Sequence, residues 1–198
     1  GTGTRAFGYK GGIGTSSRIL PEESGGFTVG VLVQTNFGGS LKINGAPVGR
    51  ELKKSPFSSS IPYDEDEGSC MIIIATDAPL SNRNLKRMAK RVDHAFGRVG
   101  AYSSNGSGDY TIIFSTAREK SSEKKSFTRK EIKNSSMNGL FMATVEATEE
   151  AIINSLFMAE TVSSRYGKME ALPVDETMKI LKKYKALNWN KNLYPWKK

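Results

Sequence analysis

Gly68-Ser69-Cys70-Met71-Ile72-Ile73-Ile74-Ala75-Thr76 is the stretch at which the chain changes character. Residues 49–68 before it are polar, with Ser55, Ser58, Ser59, Ser60 and the acidic run Asp64-Glu65-Asp66-Glu67. Such composition reads as an exposed, protease-accessible linker. Six apolar residues, Cys70 to Ala75, then follow without interruption. Bounded by turn chemistry, they predict a strand buried on both faces. The run is the longest of its kind and falls far short of the ~18 apolar residues of a membrane span.

Working outward, Phe27 to Thr35 (FTVGVLVQT) alternates as a strand does and ends at Asn36-Phe37-Gly38-Gly39. Leu41-Lys42-Ile43 and Ala46-Pro47-Val48 flank Asn44-Gly45, the pair that favours a tight hairpin. Upstream, the Gly-rich segment Gly8 to Arg18 (GYKGGIGTSSR) lacks the Gly-Lys-Ser/Thr ending of a nucleotide loop. It reads instead as a crossing where only glycine permits close backbone approach. Downstream, Asn82 to Gly100 predicts one helix, with Leu85, Met88, Ala89, Val92, Ala95, Phe96 and Val99 on its apolar stripe. Asp109 to Thr116 and Leu140 to Val145 predict strands. Glu146 to Val162 predicts a second helix, with Ala151, Ile152, Leu156, Ala159 and Phe157 facing in. Pro173 opens a third, with Val174, Met178 and Leu181 on its inner side. The expected architecture is α/β (α+β), helices packed on mixed sheets.

Composition narrows the chemistry. At 198 residues the chain is long enough for a sizeable core. One Cys (Cys70) and one His (His94) exclude a Cys/His zinc site and an intrachain disulfide, and no calcium-loop spacing occurs. No cofactor and no metal are therefore expected. The opening Gly1-Thr2-Gly3-Thr4-Arg5 has neither an initiator Met nor a secretory pattern, so an upstream part is expected; the lone Cys agrees with a cytoplasmic protein. The net charge of +9 raises nucleic acid as a partner. The excess sits in the run 118–133 and the tail 179–198, which do not interleave Arg with aromatics as a base-stacking surface does. A solvated loop and tail are the expectation, with neither nucleic acid nor membrane as partner.

A Ser-His-acid triad needs an imidazole aimed at the nucleophile. His94, the sole histidine, lies opposite the apolar stripe of its helix and faces solvent beside Lys90, Asp93 and Arg98. Another route needs no histidine. A serine that becomes the first residue of a chain can use its own α-amine, which ordinarily titrates near pH ~8, as the base. Gly68-Ser69 offers the setting: a linker before, a rigid strand after, and a glycine whose carbonyl is open to attack. Gly-Ser also occurs at Gly39-Ser40 and Gly106-Ser107, so the dipeptide alone does not single it out.

Taken together, several blocks resemble the DmpA-type N-terminal-serine aminopeptidases, peptidase family S58, which include L-aminopeptidase/D-esterases and β-peptidyl aminopeptidases. They are Gly68-Ser69 with its apolar run and Ala75-Thr76-Asp77-Ala78-Pro79-Leu80, the GYKGGIGTSSR segment, Val31 to Gly38 (VLVQTNFG), Ser103 to Asp109 (SSNGSGD), and Val145 to Ile152 (VEATEEAI). The resemblance implies a four-layer αββα sandwich and a single catalytic domain, 1–198, self-cleaved between Gly68 and Ser69 into 1–68 and 69–198. It implies Ser69 as nucleophile and amine base, Asn36 as oxyanion donor, and Ser107 and Asp109 as the groups that hold the terminal amine and hydroxyl. It also implies small peptide, amide or ester substrates and a homo-oligomer, a tetramer of processed heterodimers. By themselves the residues leave other roles open: Asn36 as a turn residue, Ser107 as a loop hydroxyl, Asp109 as a strand-edge charge. An inactive or ornithine-acetyltransferase-like relative of the same fold, or a basic scaffold for an acidic partner, stands as the alternative. Family members have a longer N-terminal region that supplies part of the sheet and substrate cleft. The run 118–134 and the extension Trp189 to Lys198 lie outside the resemblance.

Overall fold

The computed structural model describes residues 2–56, 68–117, 131–165 and 167–187. The linker's acidic run, most of the basic run and the Trp189 to Lys198 extension lie outside them. Four strands make the main sheet: β3 (Ile13–Ile19), β4 (Thr28–Asn36), β5 (Ser69–Thr76) and β6 (Gly108–Ser115), side by side in that order. β3–β4 and β4–β5 are antiparallel, and β5–β6 is parallel. A parallel neighbour requires a crossover. After β4 comes the short α1 (Val48–Glu51), and past β5 the chain leaves Thr76 and returns to β6 through α2 (Asn82–Ala89) and α3 (Val92–Val99). The consequence for function is geometric. The starts of β5 and β6 and the end of β4 meet at one sheet end, with Asn36 opposite Ser69 and Ser69 opposite Gly108.

Alternation decides which side chains are buried. On one face Val29, Val31 and Val33 of β4 and Cys70, Ile72 and Ile74 of β5 are buried. α4 (Asn138–Phe157) packs across β3 and β4 on this face and adds Leu140, Ala147, Ala151, Ile152 and Leu156 to the same core. Each large aliphatic side chain fully buried there contributes roughly 1.5–3 kcal/mol. On the other face the described residues leave the sheet open: Met71 and Ile73 are exposed, and so are Tyr110 (65%), Ile112 (54%) and Phe114. The expectation that β5 is buried on both faces is therefore corrected. An unbroken apolar run reads alike whether one face or two are covered, and here it alternates buried with exposed.

Other expectations are corrected too. Leu140 to Val145 is not a strand but the start of α4, a single 20-residue helix. Its inward stripe includes Thr144 and Thr148, whose hydroxyls donate to the carbonyls of Leu140 and Thr144, each at 2.7 Å. Hydroxyls satisfied within the helix can be buried, and polar types on the inner stripe obscure the period. Asn82 to Gly100 holds two helices rather than one, parted at Lys90 and Arg91. His94 is exposed on α3. In α5 (Val174–Lys183) Thr177 and Leu181 are buried, whereas Val174 and Met178 are exposed.

The Gly8 to Arg18 segment is mostly strand: β2 (Tyr9–Lys10) pairs with β1 (Arg5–Ala6), and β3 follows. Its glycines do serve close approach. A Cβ on Gly11 would sit 2.7 Å from the Thr35 carbonyl oxygen, and one on Gly14 would collide with the Ala151 carbonyl of α4. Backbone on both sides leaves nothing to yield. Gly14→Ala is expected to lower stability by about 3 kcal/mol or more, the upper range for overpacking. A thermal melt reads this directly; an unchanged Tm would mean that strand and helix part without cost.

Candidate active site

Ser69 opens β5 on the open face of the sheet, where its side chain is exposed. Its Oγ donates to the carbonyl oxygen of the preceding residue, Gly68, at 2.7 Å. The same oxygen accepts the Gly108 backbone N–H at 3.1 Å. The hydroxyl is thus in contact with the carbonyl whose peptide bond precedes it, and a second donor polarises that carbonyl. Gly68 is needed by space: a Cβ there would stand 3.1 Å from Phe37 Cα and Cβ and 3.4 Å from Ser107 Oγ.

Asn36 ends β4 directly opposite Ser69. Its Oδ1 accepts the backbone N–H of Arg5 at 3.0 Å. Because that partner is a donor, the amide oxygen must face it, which leaves the NH2 group to donate elsewhere. Asn36 and Ser69 line a cleft of about 340 Å³ together with Gly3, Thr4, Gln34 and Met71.

Ser107 and Asp109 form the second half of the cluster. Ser107 Oγ donates to Asp109 Oδ2 at 2.9 Å, and Asp109 Oδ1 is buried without a hydrogen-bond partner among the described residues. Asp109 lies opposite Cys70 in the parallel register. One residue on from the Ser69–Gly108 pair, it belongs to the other face of the sheet. Burial, with the Asp109 carboxylate nearby as a lesser cause, raises the Cys70 thiol's pKa and keeps it a neutral thiol. Asp109 and Ser107 also line a pocket walled by Phe37, Phe96, Tyr102 and Ser104.

The four predicted residues thus gather at one sheet end in two pairs, Ser69 with Asn36 and Ser107 with Asp109. Ser107 lies beside Gly68, between them. Sequence reasoning missed the Gly108 amide and the Thr4–Arg5 peptide, because both enter through long-range pairing. The signal for the first was present: Gly108 sits between Ser107 and Asp109 and starts the strand that lies next to β5. Among the described residues no group of three His, Cys, Asp or Glu could hold a metal ion, and no helix is long and apolar enough to cross a membrane.

At this sheet end a hydroxyl, the carbonyl that it contacts and a backbone amide donor lie together, with the Ser107–Asp109 pair beside them. Residues 1–170 match the family described as peptidase family S58. The chain is 39% identical over 202 aligned positions to beta-peptidyl aminopeptidase BapA of Sphingosinicella microcystinivorans, covering 94% of this chain and 51% of that protein. Among solved structures, a beta-aminopeptidase from Burkholderia sp. superposes with a TM-score of 0.79 at 35% identity, over 92% of this chain and 52% of that one. The L-aminopeptidase D-Ala-esterase/amidase from Ochrobactrum anthropi, described as a serine aminopeptidase with a variant of the Ntn hydrolase fold, superposes with a TM-score of 0.81 at 32% identity, over 94% of this chain and 52% of that one. The chain spans about half the length of these relatives.

Proposed function

This chain belongs to peptidase family S58, and from that premise we propose that the whole protein is a self-processing aminopeptidase whose nucleophile is Ser69. The observation that carries the reading is the Ser69 hydroxyl, 2.7 Å from the Gly68 carbonyl oxygen at the head of a rigid strand.

In the first reaction Ser69 Oγ attacks the Gly68 carbonyl carbon. The oxygen that gains negative charge already accepts the Gly108 N–H. The C–N bond breaks, the hydroxyl proton passes to the Ser69 nitrogen, and the acyl group moves to Oγ as an ester. Water cleaves the ester, which leaves a carboxylate on Gly68 and a free amine on Ser69. In turnover that amine takes the Oγ proton as Oγ attacks a substrate carbonyl. The Asn36 NH2 donates to the substrate oxyanion. Collapse expels the leaving amine, which takes the proton from the Ser69 amine, and water then releases the acyl group. Ser107 donates its hydroxyl hydrogen bond to Asp109 and so keeps lone pairs free to accept from the Ser69 amine, while the Asp109 carboxylate favours positive charge there.

Small peptides, amides or esters with a free amino end suit a cleft this open, and the names of the relatives point the same way. The open apolar face is where a second sheet would lie, so the four-layer αββα arrangement belongs to this proposal, as do the homo-oligomer and a cytoplasmic location. Denaturing mass spectrometry of the full-length protein tests the first step: two species meeting at Gly68/Ser69 are expected. A single intact species that nevertheless hydrolyses aminoacyl p-nitroanilides would overturn it.

A further inference from the structure

We propose that Lys10 is a positioning residue that delivers its charge to Asn36 through the Thr4–Arg5 peptide. The inference rests on the reading of Asn36 as oxyanion donor and adds to it the source of that donor's strength. Lys10 is buried, only 6% exposed, in β2. Its Nζ donates to the Gly11 carbonyl oxygen at 2.6 Å, to the Thr4 carbonyl oxygen at 3.1 Å and to Thr4 Oγ1 at 3.3 Å. All three oxygens lie within hydrogen-bond reach of the one ammonium group. Burying a charge is costly, and burial does pull this lysine's pKa down. A methionine or leucine would fill the volume without that cost.

The Thr4–Arg5 peptide shows what the charge does. Its carbonyl oxygen receives Lys10 Nζ and also the Gly11 N–H, at 3.0 Å. Its N–H, at the other end of the same planar unit, donates to Asn36 Oδ1 at 3.0 Å. The β1–β2 register sets Arg5 opposite Lys10, so the hairpin itself holds the parts in place. A cation on an amide oxygen draws electrons from the nitrogen and makes its N–H a stronger donor. That stronger donor polarises the next amide in the same way. Two amides in series therefore carry the lysine's influence to the Asn36 NH2. They also fix the Asn36 plane, and Thr4 lines the cleft. The Lys10 backbone N–H donates to the Glu170 carbonyl at 2.7 Å, which anchors the hairpin from behind.

The test is a double-mutant cycle on the full-length processed enzyme, with an aminoacyl p-nitroanilide as substrate and Lys10→Met, Asn36→Ala and the double variant compared. Lys10→Met is expected to lower kcat about tenfold with KM within about twofold, the share of a donor's effect that polarisation and alignment supply. In the Asn36→Ala background the same change is expected to cost nothing further. An equal loss in both backgrounds would make Lys10 a scaffold residue and overturn the proposal, as would an unchanged kcat in Lys10→Met. Should Lys10→Met not fold, Lys10→Gln keeps a neutral donor toward Thr4, and a kcat at the parent level would overturn the proposal there. Asn36→Ala at the parent kcat is the separate result that removes the oxyanion reading, and this inference with it.

Discussion

Ser69→Ala leaves the chain in one piece and abolishes turnover: denaturing mass spectrometry of the full-length variant is expected to show one species, and hydrolysis of aminoacyl p-nitroanilides to fall by on the order of 10⁶-fold, the scale of losing a serine nucleophile. Both losses come from one atom. Oγ forms the ester in self-cleavage, and it forms the acyl-enzyme in turnover. Without scission there is also no amine to act as base, so a second nucleophile nearby could not rescue the rate. The fold should be indifferent. The side chain is exposed and, among the described residues, its one hydrogen bond is to the neighbouring carbonyl, so stability should stay within about 0.5 kcal/mol. Peptidase activity persisting in a folded Ser69→Ala protein would defeat the assignment. A folded variant that is still cut at residue 68 would do so as well.

Asn36→Ala separates the two reactions. Turnover is expected to fall about 10²–10³-fold in kcat, the usual cost of one oxyanion donor, with little change in KM. Scission between Gly68 and Ser69 is expected to survive, because the oxygen that becomes negative in that step accepts from Gly108 rather than from Asn36. Mass spectrometry and steady-state kinetics on the same preparation measure both. A variant that is cut and turns over at the parent rate would show that Asn36 only closes the turn after β4. The change also releases the Arg5 N–H from its acceptor, so a Tm drop of a few degrees is compatible with the role.

How much of this was legible in the sequence follows from the range of each interaction. Val29, Val31 and Val33 alternate with Thr28, Gly30 and Gln34, broken by Leu32 alone, so β4 read as a strand. The β5 run did not: Met71 and Ile73 are as apolar as Ile72 and Ile74, and only the structure separates the buried pair from the exposed one. Leu140 to Val145 contains Thr144, whose hydroxyl is satisfied by the carbonyl four residues back; counted as polar, it breaks the helical period and mimics a strand. At the site, Ser69 stood out locally, as a serine between a linker and a strand. Its partners did not. Asn36 reaches it through antiparallel register and Gly108 through a parallel crossover of about thirty residues, 77–107; the place of Gly108 between Ser107 and Asp109 is the one local sign of either pairing. The role expected of Asn36 came from resemblance, the Gly108 amide was missed, and only the structure shows that Asp109 belongs to the opposite face from Ser69.

The proposed cut between Gly68 and Ser69 would fall at the head of an inner strand. β5 is an inner strand, hydrogen-bonded along its length to β4 on one side and β6 on the other, and α4 packs across β3 and β4. A cut at residue 68 therefore puts the two halves of the ladder on different molecules without loosening either. The pieces would co-purify, and the new terminus would be held in register from the moment it forms. Unfolding would then release two chains instead of one, so recovery from denaturant should depend on protein concentration after the cut and be independent of it before.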